Sequence, residues 1–267
     1  MIPDYHWHTA RCGHAHGKMS EYVDEARSRG LAEVGFADHV PMYWLPAAER
    51  NSGLAMAGEE FPLYVQRVLE LQGEARAPEI RLGVEADFIP GAGDELRNIL
   101  IAYPFDYVIG SVHYINGWGF DNPDLVHEYG HRNLFEIYAL YFEQLCAAAR
   151  SGLFDIIAHP DLIKKFGYRL PEPPLDLYRE AALAFAEAGV CVELNTAGLR
   201  VAAAEMYPAR EFLAECRRKG VPVTTGSDAH RPEQVGWGFD LAMDLLRDVG
   251  YKEIALFRGR KMVFDRI

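Results

Sequence analysis

The feature that most constrains this chain is a series of histidine and acidic residues, each at or just after the end of a short apolar run. The apolar runs alternate with longer amphipathic segments, which is typical of a parallel sheet covered by helices. Because the carboxyl ends of parallel strands meet at one rim, we expect these polar side chains to converge on one site. In chain order the series is His6, His8, His14, Asp38, His39, Glu85, His113, His159, Asp161, Asp228 and His230.

The same alternation predicts seven strand–helix units in a single domain that spans residues 1–267, a length that barrels of such units often reach. Five of the predicted helices are followed by a glycine, which favours a left-handed helix cap. Strands are predicted at 2–6, 31–37, 80–86, 107–112, 154–158, 190–194 and 221–225. Helices are predicted at 20–29, 61–75, 94–101, 132–150, 175–188, 207–219 and 239–249. The cap glycines are Gly30, Gly152, Gly189, Gly220 and Gly250.

Composition argues against membrane and nucleic-acid partners. No window reaches the roughly 18 apolar residues that a membrane span needs, and the first residues lack the pattern of a secretory signal, so we expect a cytoplasmic protein. The net charge of −12 disfavours binding to polyanions, whose affinity comes mainly from Lys and Arg. A small phosphorylated substrate stays compatible with this charge, because bound divalent metals reverse the local potential.

The four cysteines are scattered and show no Cys-x-x-Cys spacing, so neither disulfides nor a thiolate zinc site is predicted. Cys12 falls between His8 and His14, and we expect it to be packed rather than to bind metal.

Imidazole and carboxylate groups suit zinc, iron and manganese, and both are costly to bury without a partner. A single histidine at a strand end is commonly a hydrogen-bonded structural residue. Six clusters at regular intervals favour bound metal instead.

The ordered series resembles the PHP (polymerase and histidinol phosphatase) superfamily over nearly the whole chain. Segments 111–121, 161–166 and 193–200 resemble its histidinol-phosphatase branch. The resemblance implies a distorted (β/α)7 barrel and three divalent metal ions, which could be zinc, iron or manganese.

The resemblance also implies how the ligands are shared among these ions. Glu85 would bridge two of them, and the catalytic residues are predicted to be Glu85, Asp228 and His230. Asp38 and Asp161 either orient an imidazole or cap a loop, and His16 is an alternative to His14. The first ion is assigned to His6, His8, Glu85 and Asp228, the second to Glu85, His113 and His159, and the third to His14, His39 and His230.

The activity implied by the resemblance is hydrolysis of L-histidinol phosphate to L-histidinol and phosphate. Divalent metals supply the electrostatic help that this slow reaction needs, by acidifying water and neutralising phosphoryl and leaving-group charge. The alternatives are another small phosphomonoester, a nucleic-acid end, or a metal-binding module without catalysis.

Substrate contacts are predicted from residues in the loops of the rim. Arg200 is the leading phosphate ligand because an arginine fork matches phosphate geometry, and Lys165 and Arg11 are further candidates. Tyr114 and Trp118 are suited to the substrate's ring. Two long loops, 41–60 and 114–128, are predicted to overhang the site.

Overall fold

The computed structural model describes residues 2–74 and 77–267. It contains twelve strands and seven α-helices within those residues. The strands are β1 (Asp4–Trp7), β2 (Glu33–Phe36), β3 (Glu79–Leu82), β4 (Glu85–Asp87), β5 (Ile109–Ser111), β6 (Tyr114–Ile115), β7 (Trp118–Gly119), β8 (Ile156–Ile157), β9 (Cys191–Asn195), β10 (Val223–Gly226), β11 (Glu253–Arg258) and β12 (Lys261–Arg266). The helices are α1 (Met19–Ser28), α2 (Glu60–Glu74), α3 (Gly93–Leu100), α4 (Leu134–Arg150), α5 (Leu175–Ala188), α6 (Arg210–Arg218) and α7 (Phe239–Val249).

Two parallel sheets form the centre of the fold. One has the order β1-β2-β3 and the other the order β10-β9-β8-β5-β4. Single parallel bridges, Trp7 with Ala229 and His39 with Glu85, join the two sheets at both seams. The predicted α/β fold with a distorted barrel is therefore confirmed, with single bridges at the seams in place of continuous ladders.

The predicted strand 80–86 is split into β3 and β4. At Gly83 the chain passes the buried Tyr107 ring so closely that a Cβ there would lie 2.2 Å from it. The backbone changes partner at this point, from β2 on one side of the break to β5 on the other. The split places Glu85 at the start of a new strand.

The other predicted elements are found at their expected places with small changes at the ends. Helix α4 begins later than predicted because the Asn133 side chain caps it, accepting from the backbone N–H of Phe135 and Glu136. Ala75, the last residue of the helix predicted at 61–75, lies outside the described residues. The five cap glycines all have positive φ, from 68° to 94°, as predicted.

The amino ends of the strands are closed by a hairpin of β11 and β12, which the sequence reading missed. Its Phe257 N–H donates to the Tyr5 hydroxyl (3.2 Å), and Arg258 pairs with the buried Glu33 (2.7 Å). The hairpin covers the amino ends of the strands, and the polar cluster lies at the opposite rim, at their carboxyl ends. Within the described residues no helix is long and apolar enough to cross a membrane.

Candidate metal centre

Glu85 lies at the middle of the polar cluster and is 1% exposed. One of its carboxylate oxygens, Oε2, is 3.2 Å from His6 Nε2, 3.4 Å from His8 Nε2 and 3.2 Å from His39 Nδ1. These three imidazoles come from β1, from the residue directly after it, and from the loop that follows β2. The carboxylate therefore sits where the carboxyl ends of the first strands meet.

The other oxygen of Glu85, Oε1, faces two further imidazoles. His159 Nε2 lies 3.1 Å from it and His113 Nε2 lies 3.8 Å from it. Ser111 also donates its hydroxyl hydrogen to this oxygen. Both oxygens of Glu85 thus face different sets of nitrogen atoms, as the proposed bridging role requires.

Asp228 and His230 complete the cluster from the loop after β10. Asp228 Oδ1 lies 3.2 Å from His8 Nε2 and 3.4 Å from His230 Nδ1. The His14 ring centroid is 4.9 Å from that of His230, whereas the His16 side chain is exposed. All nine predicted ligands are brought to one rim.

The backbone is strained at two of these residues. His159 has a φ of 26° and Asp228 has a φ of 51°. Both values lie in the left-handed region, which residues other than glycine seldom adopt. Such conformations persist only where the surrounding structure enforces them, and they are concentrated at functional sites.

The residues fit a cluster of divalent cations. In the part of the chain that the structure describes, His6 Nε2 and Glu85 Oε2 are buried, lie 3.2 Å apart and have no hydrogen-bond partner. An unpaired buried polar atom is costly, and a cation would accept a lone pair from each of these two atoms. Sets of three ligand atoms that lie within 4.8 Å of one another include His6 with His8 and Glu85, His6 with His159 and Asp228, and His8 with His14 and His230.

The electrostatics of the cluster are coupled. Burial alone would raise the pKa of Glu85, but the neighbouring His39 and His6 hold that pKa well below its usual range. Burial would lower the pKa of His113, yet Asp87 and Asp121 raise it to about 9. Burial keeps the pKa of His39 well below its usual range. The metal-free site is therefore partly protonated at neutral pH, and binding a cation must displace protons.

The sequence left open whether Asp38 and Asp161 orient an imidazole or cap a loop. The contacts of these two residues differ in the structure. Asp38 accepts from the backbone N–H of His39 (2.9 Å) and lies 3.4 Å from His8 Nδ1, so it both caps a turn and faces an imidazole. Asp161 accepts from Lys164 Nζ (2.7 Å) and the Ala209 N–H (2.8 Å). Asp161 is therefore a structural residue that anchors a buried lysine.

Two further carboxylates beside the cluster were missed. Asp87 Oδ1 is 2.8 Å from His113 Nδ1, and Glu193 Oε1 is 2.7 Å from His6 Nδ1. Asp87 could have been found, because it lies two residues after Glu85 and alternate residues of a strand face the same side. For Glu193 the sequence carried only its place near the end of a predicted strand.

Cys12 is buried and lies closer to the cluster than expected. Its thiol donates to the Thr9 carbonyl (3.1 Å), and its sulfur is 3.8 Å from His14 Nε2. All four cysteines are free and buried in the structure.

A cavity of about 690 Å³ opens onto the cluster, and both long loops line it. Of the predicted substrate contacts, Tyr114 and Lys165 line this cavity, as does Asp121. Lys165 Nζ donates to the Asp121 carboxylate (3.1 Å).

The other predicted substrate contacts are not among the residues that line this cavity. Trp118 is buried against Tyr129, with ring centroids 4.8 Å apart, so it packs the loop. Arg11 pairs with Glu60 in a separate surface groove. Arg200 Nη2 donates to the carbonyls of Ser227 (2.8 Å) and Asp228 (3.1 Å), which ties it to the loop that carries Asp228.

The sequence profile of the PHP domain matches residues 4–197, and that of a PHP-associated region matches residues 210–239. The chain belongs to the PHP family. A probable histidinol-phosphatase of Deinococcus radiodurans is 44% identical to this PHP protein over 97% of both chains. The histidinol-phosphatase of Bacillus subtilis is 28% identical over 90% of this chain and 98% of its own.

The fold of this PHP protein is shared with a solved relative. The crystal structure of histidinol phosphate phosphatase from Lactococcus lactis, complexed with zinc, L-histidinol and phosphate, superposes with a TM-score of 0.84. The two sequences are 23% identical, and the match covers 98% of each chain.

Proposed function

We propose that this PHP protein is a metal-dependent phosphatase that hydrolyses L-histidinol phosphate to L-histidinol and phosphate. The observation that carries the proposal is the Glu85 carboxylate, whose two oxygens face five imidazoles at the base of an open cavity. The full-length relative at 44% identity that is named a probable histidinol-phosphatase supports the choice of substrate.

The proposed ligands are the nine residues predicted from the sequence, arranged for three cations with Glu85 shared between two. Divalent cations held by these residues would supply a water nucleophile of low pKa and would stabilise negative charge on the phosphoryl and leaving oxygens. The chain's own contribution is to hold His6, His8 and the other proposed ligands in fixed positions beside the cavity. The net reaction adds water across the P–O ester bond and releases the alcohol and inorganic phosphate.

Cavity residues supply contacts for the rest of the substrate. Lys165 is proposed to bind the phosphate of the substrate, and Asp121 is proposed to bind the cationic amine of the substrate. Both residues line the cavity, and Lys165 Nζ lies 3.1 Å from the Asp121 carboxylate. Tyr114 is proposed to pack on the substrate imidazole, and its own ring is held by Trp44, at a centroid distance of 5.4 Å.

A phosphate-release assay over a panel of phosphomonoesters tests the proposed substrate. We expect kcat/KM for L-histidinol phosphate to exceed that for an alkyl phosphate lacking amine and ring by at least about tenfold, or about 1.4 kcal/mol. Asp121→Asn should reduce the ratio of these two kcat/KM values. Equal efficiency across the panel would contradict the substrate, and preferential release from a nucleic-acid end would assign the alternative one.

Arg200 stays the proposed arginine contact to phosphate. Its Nη2 is anchored on two backbone carbonyls, while its Nη1 is buried without a partner and so has hydrogens to donate. We expect Arg200→Ala to keep the metals and to lower kcat/KM by at least about tenfold, since hydrogen bonds to charged groups contribute roughly 1.5–3 kcal/mol. Metal analysis beside the kinetics checks this, because joint loss of metal and activity would instead place Arg200 in support of the Asp228 loop.

A further inference from the structure

Glu193, on β9, is a buried carboxylate that is not among the proposed metal ligands. It is 1% exposed, and its Oε1 lies 2.7 Å from His6 Nδ1. Its Oε2 accepts from the backbone N–H of His159 (2.9 Å) and from the Asn195 side-chain amide (3.0 Å). One carboxylate therefore contacts two proposed ligands that come from different strands.

The partners of Glu193 determine which nitrogen of His6 carries hydrogen. The carboxylate only accepts hydrogen bonds, so the short contact requires a hydrogen on His6 Nδ1. In the neutral imidazole that metal binding requires, the lone pair of His6 is then on Nε2. This atom is buried, lacks a hydrogen-bond partner among the described residues and lies 3.2 Å from Glu85 Oε2.

We propose that Glu193 is a positioning residue that fixes the tautomer of His6, so that Nε2 is presented to the metal centre. Glu193 also accepts from the backbone N–H of His159, whose φ of 26° is unfavourable for a histidine. This hydrogen bond to a charged acceptor stabilises the strained backbone. Carboxylates that orient a metal-binding imidazole in this way raise metal affinity. The proposal rests on His6 being a metal ligand, as in the proposed function, but not on which ester is the substrate.

The backbone of the neighbouring strand, β10, passes so close to the His6–Glu193 contact that it leaves no room for a side chain. At Gly226 of β10, a Cβ would lie 2.0 Å from Glu193 Oε1 and 2.7 Å from His6 Cβ. Any side chain at this position would push the carboxylate from the imidazole. The close approach is an independent sign that the His6–Glu193 pair is a specific feature of the site.

Glu193→Gln is the sharpest variant because glutamine has nearly the same shape but only one acceptor oxygen. If that oxygen accepts from the His159 N–H and the Asn195 amide, the glutamine NH2 faces His6 Nδ1. Because that NH2 is a donor, Nδ1 must then accept, and the hydrogen of His6 lies on Nε2. If the oxygen instead accepts from His6 Nδ1, the glutamine NH2 faces the N–H donors of His159 and Asn195 and cannot accept from either. We expect the affinity for zinc, measured by competition with a chelator, to fall by about 10–100-fold while the protein stays folded.

Asp161→Asn is the matched control, since Asp161 is an equally buried carboxylate of the same rim whose partners are Lys164 and Ala209. It should bind zinc with the affinity of the wild-type protein. An equal loss of zinc affinity in both variants, or wild-type affinity in Glu193→Gln, would overturn the proposal.

A measurement on the zinc-loaded wild-type protein keeps the proposal testable even if Glu193→Gln does not fold. Imidazole ¹⁵N NMR is expected to show hydrogen on Nδ1 of His6, and hydrogen on Nε2 would refute the assignment. Zinc binding with the expected tautomer, but without hydrolysis of histidinol phosphate, would contradict the proposed function alone.

Discussion

Glu85→Ala is expected to abolish phosphate release while leaving a folded protein. The two oxygens of Glu85 face five imidazoles, so removing the carboxylate would take away the ligand that we propose two cations share. The apolar core packs around the strands and does not depend on this side chain. We expect kcat/KM to fall by at least about a thousandfold, equivalent to about 4 kcal/mol of transition-state stabilisation.

Metal analysis, circular dichroism and phosphate release on the same preparation check this expectation. Glu85→Gln separates charge from shape, because it keeps the volume of the side chain but replaces one carboxylate oxygen by an amide donor; it should also be inactive. Near-normal turnover with normal metal content in either variant would remove Glu85 from the mechanism.

The sequence predicted the rim and the polar side chains that meet there because the pattern depends on local features. Apolar runs followed by His or Asp place side chains at strand ends, and parallel strands bring those ends together wherever the helices lie. The break between Leu82 and Glu85 was missed because it arises from the Tyr107 ring, which is distant in sequence and fills the space beside Gly83.

Side-chain direction accounts for most of what sequence reasoning did not find. Arg11 lies in a loop next to the ligands, but it turns toward Glu60 and away from the cavity. Trp118 likewise packs inward. Glu193 on β9 reaches His6 on β1 across one intervening strand, β10, and this contact depends on sheet order and on the close approach at Gly226.

Removing the metals is expected to abolish activity reversibly, because in the proposed mechanism the bound cations would supply both the nucleophilic water and the stabilisation of the phosphoryl charge. Prolonged chelation followed by gel filtration should leave a folded, inactive protein. Adding zinc, manganese or iron(II) should restore phosphate release, and the most effective ion identifies the preferred metal. Full activity after chelation, with metal shown to be absent, would contradict the metallohydrolase proposal.

Acid should produce the same loss. The pKa of His113 is raised to about 9 by Asp87 and Asp121 against the effect of burial, so in the metal-free protein this imidazole is protonated below that pH. The pKa of His6 is also raised, by Glu193 and Glu85 against its burial. A cation must therefore displace protons at neutral pH, and its affinity must fall as the pH falls. We expect activity to decline as the pH falls below about 9 while the far-ultraviolet spectrum is retained, and excess metal to shift the midpoint downward. A midpoint that does not move with metal concentration would show that the titrating group is not a ligand.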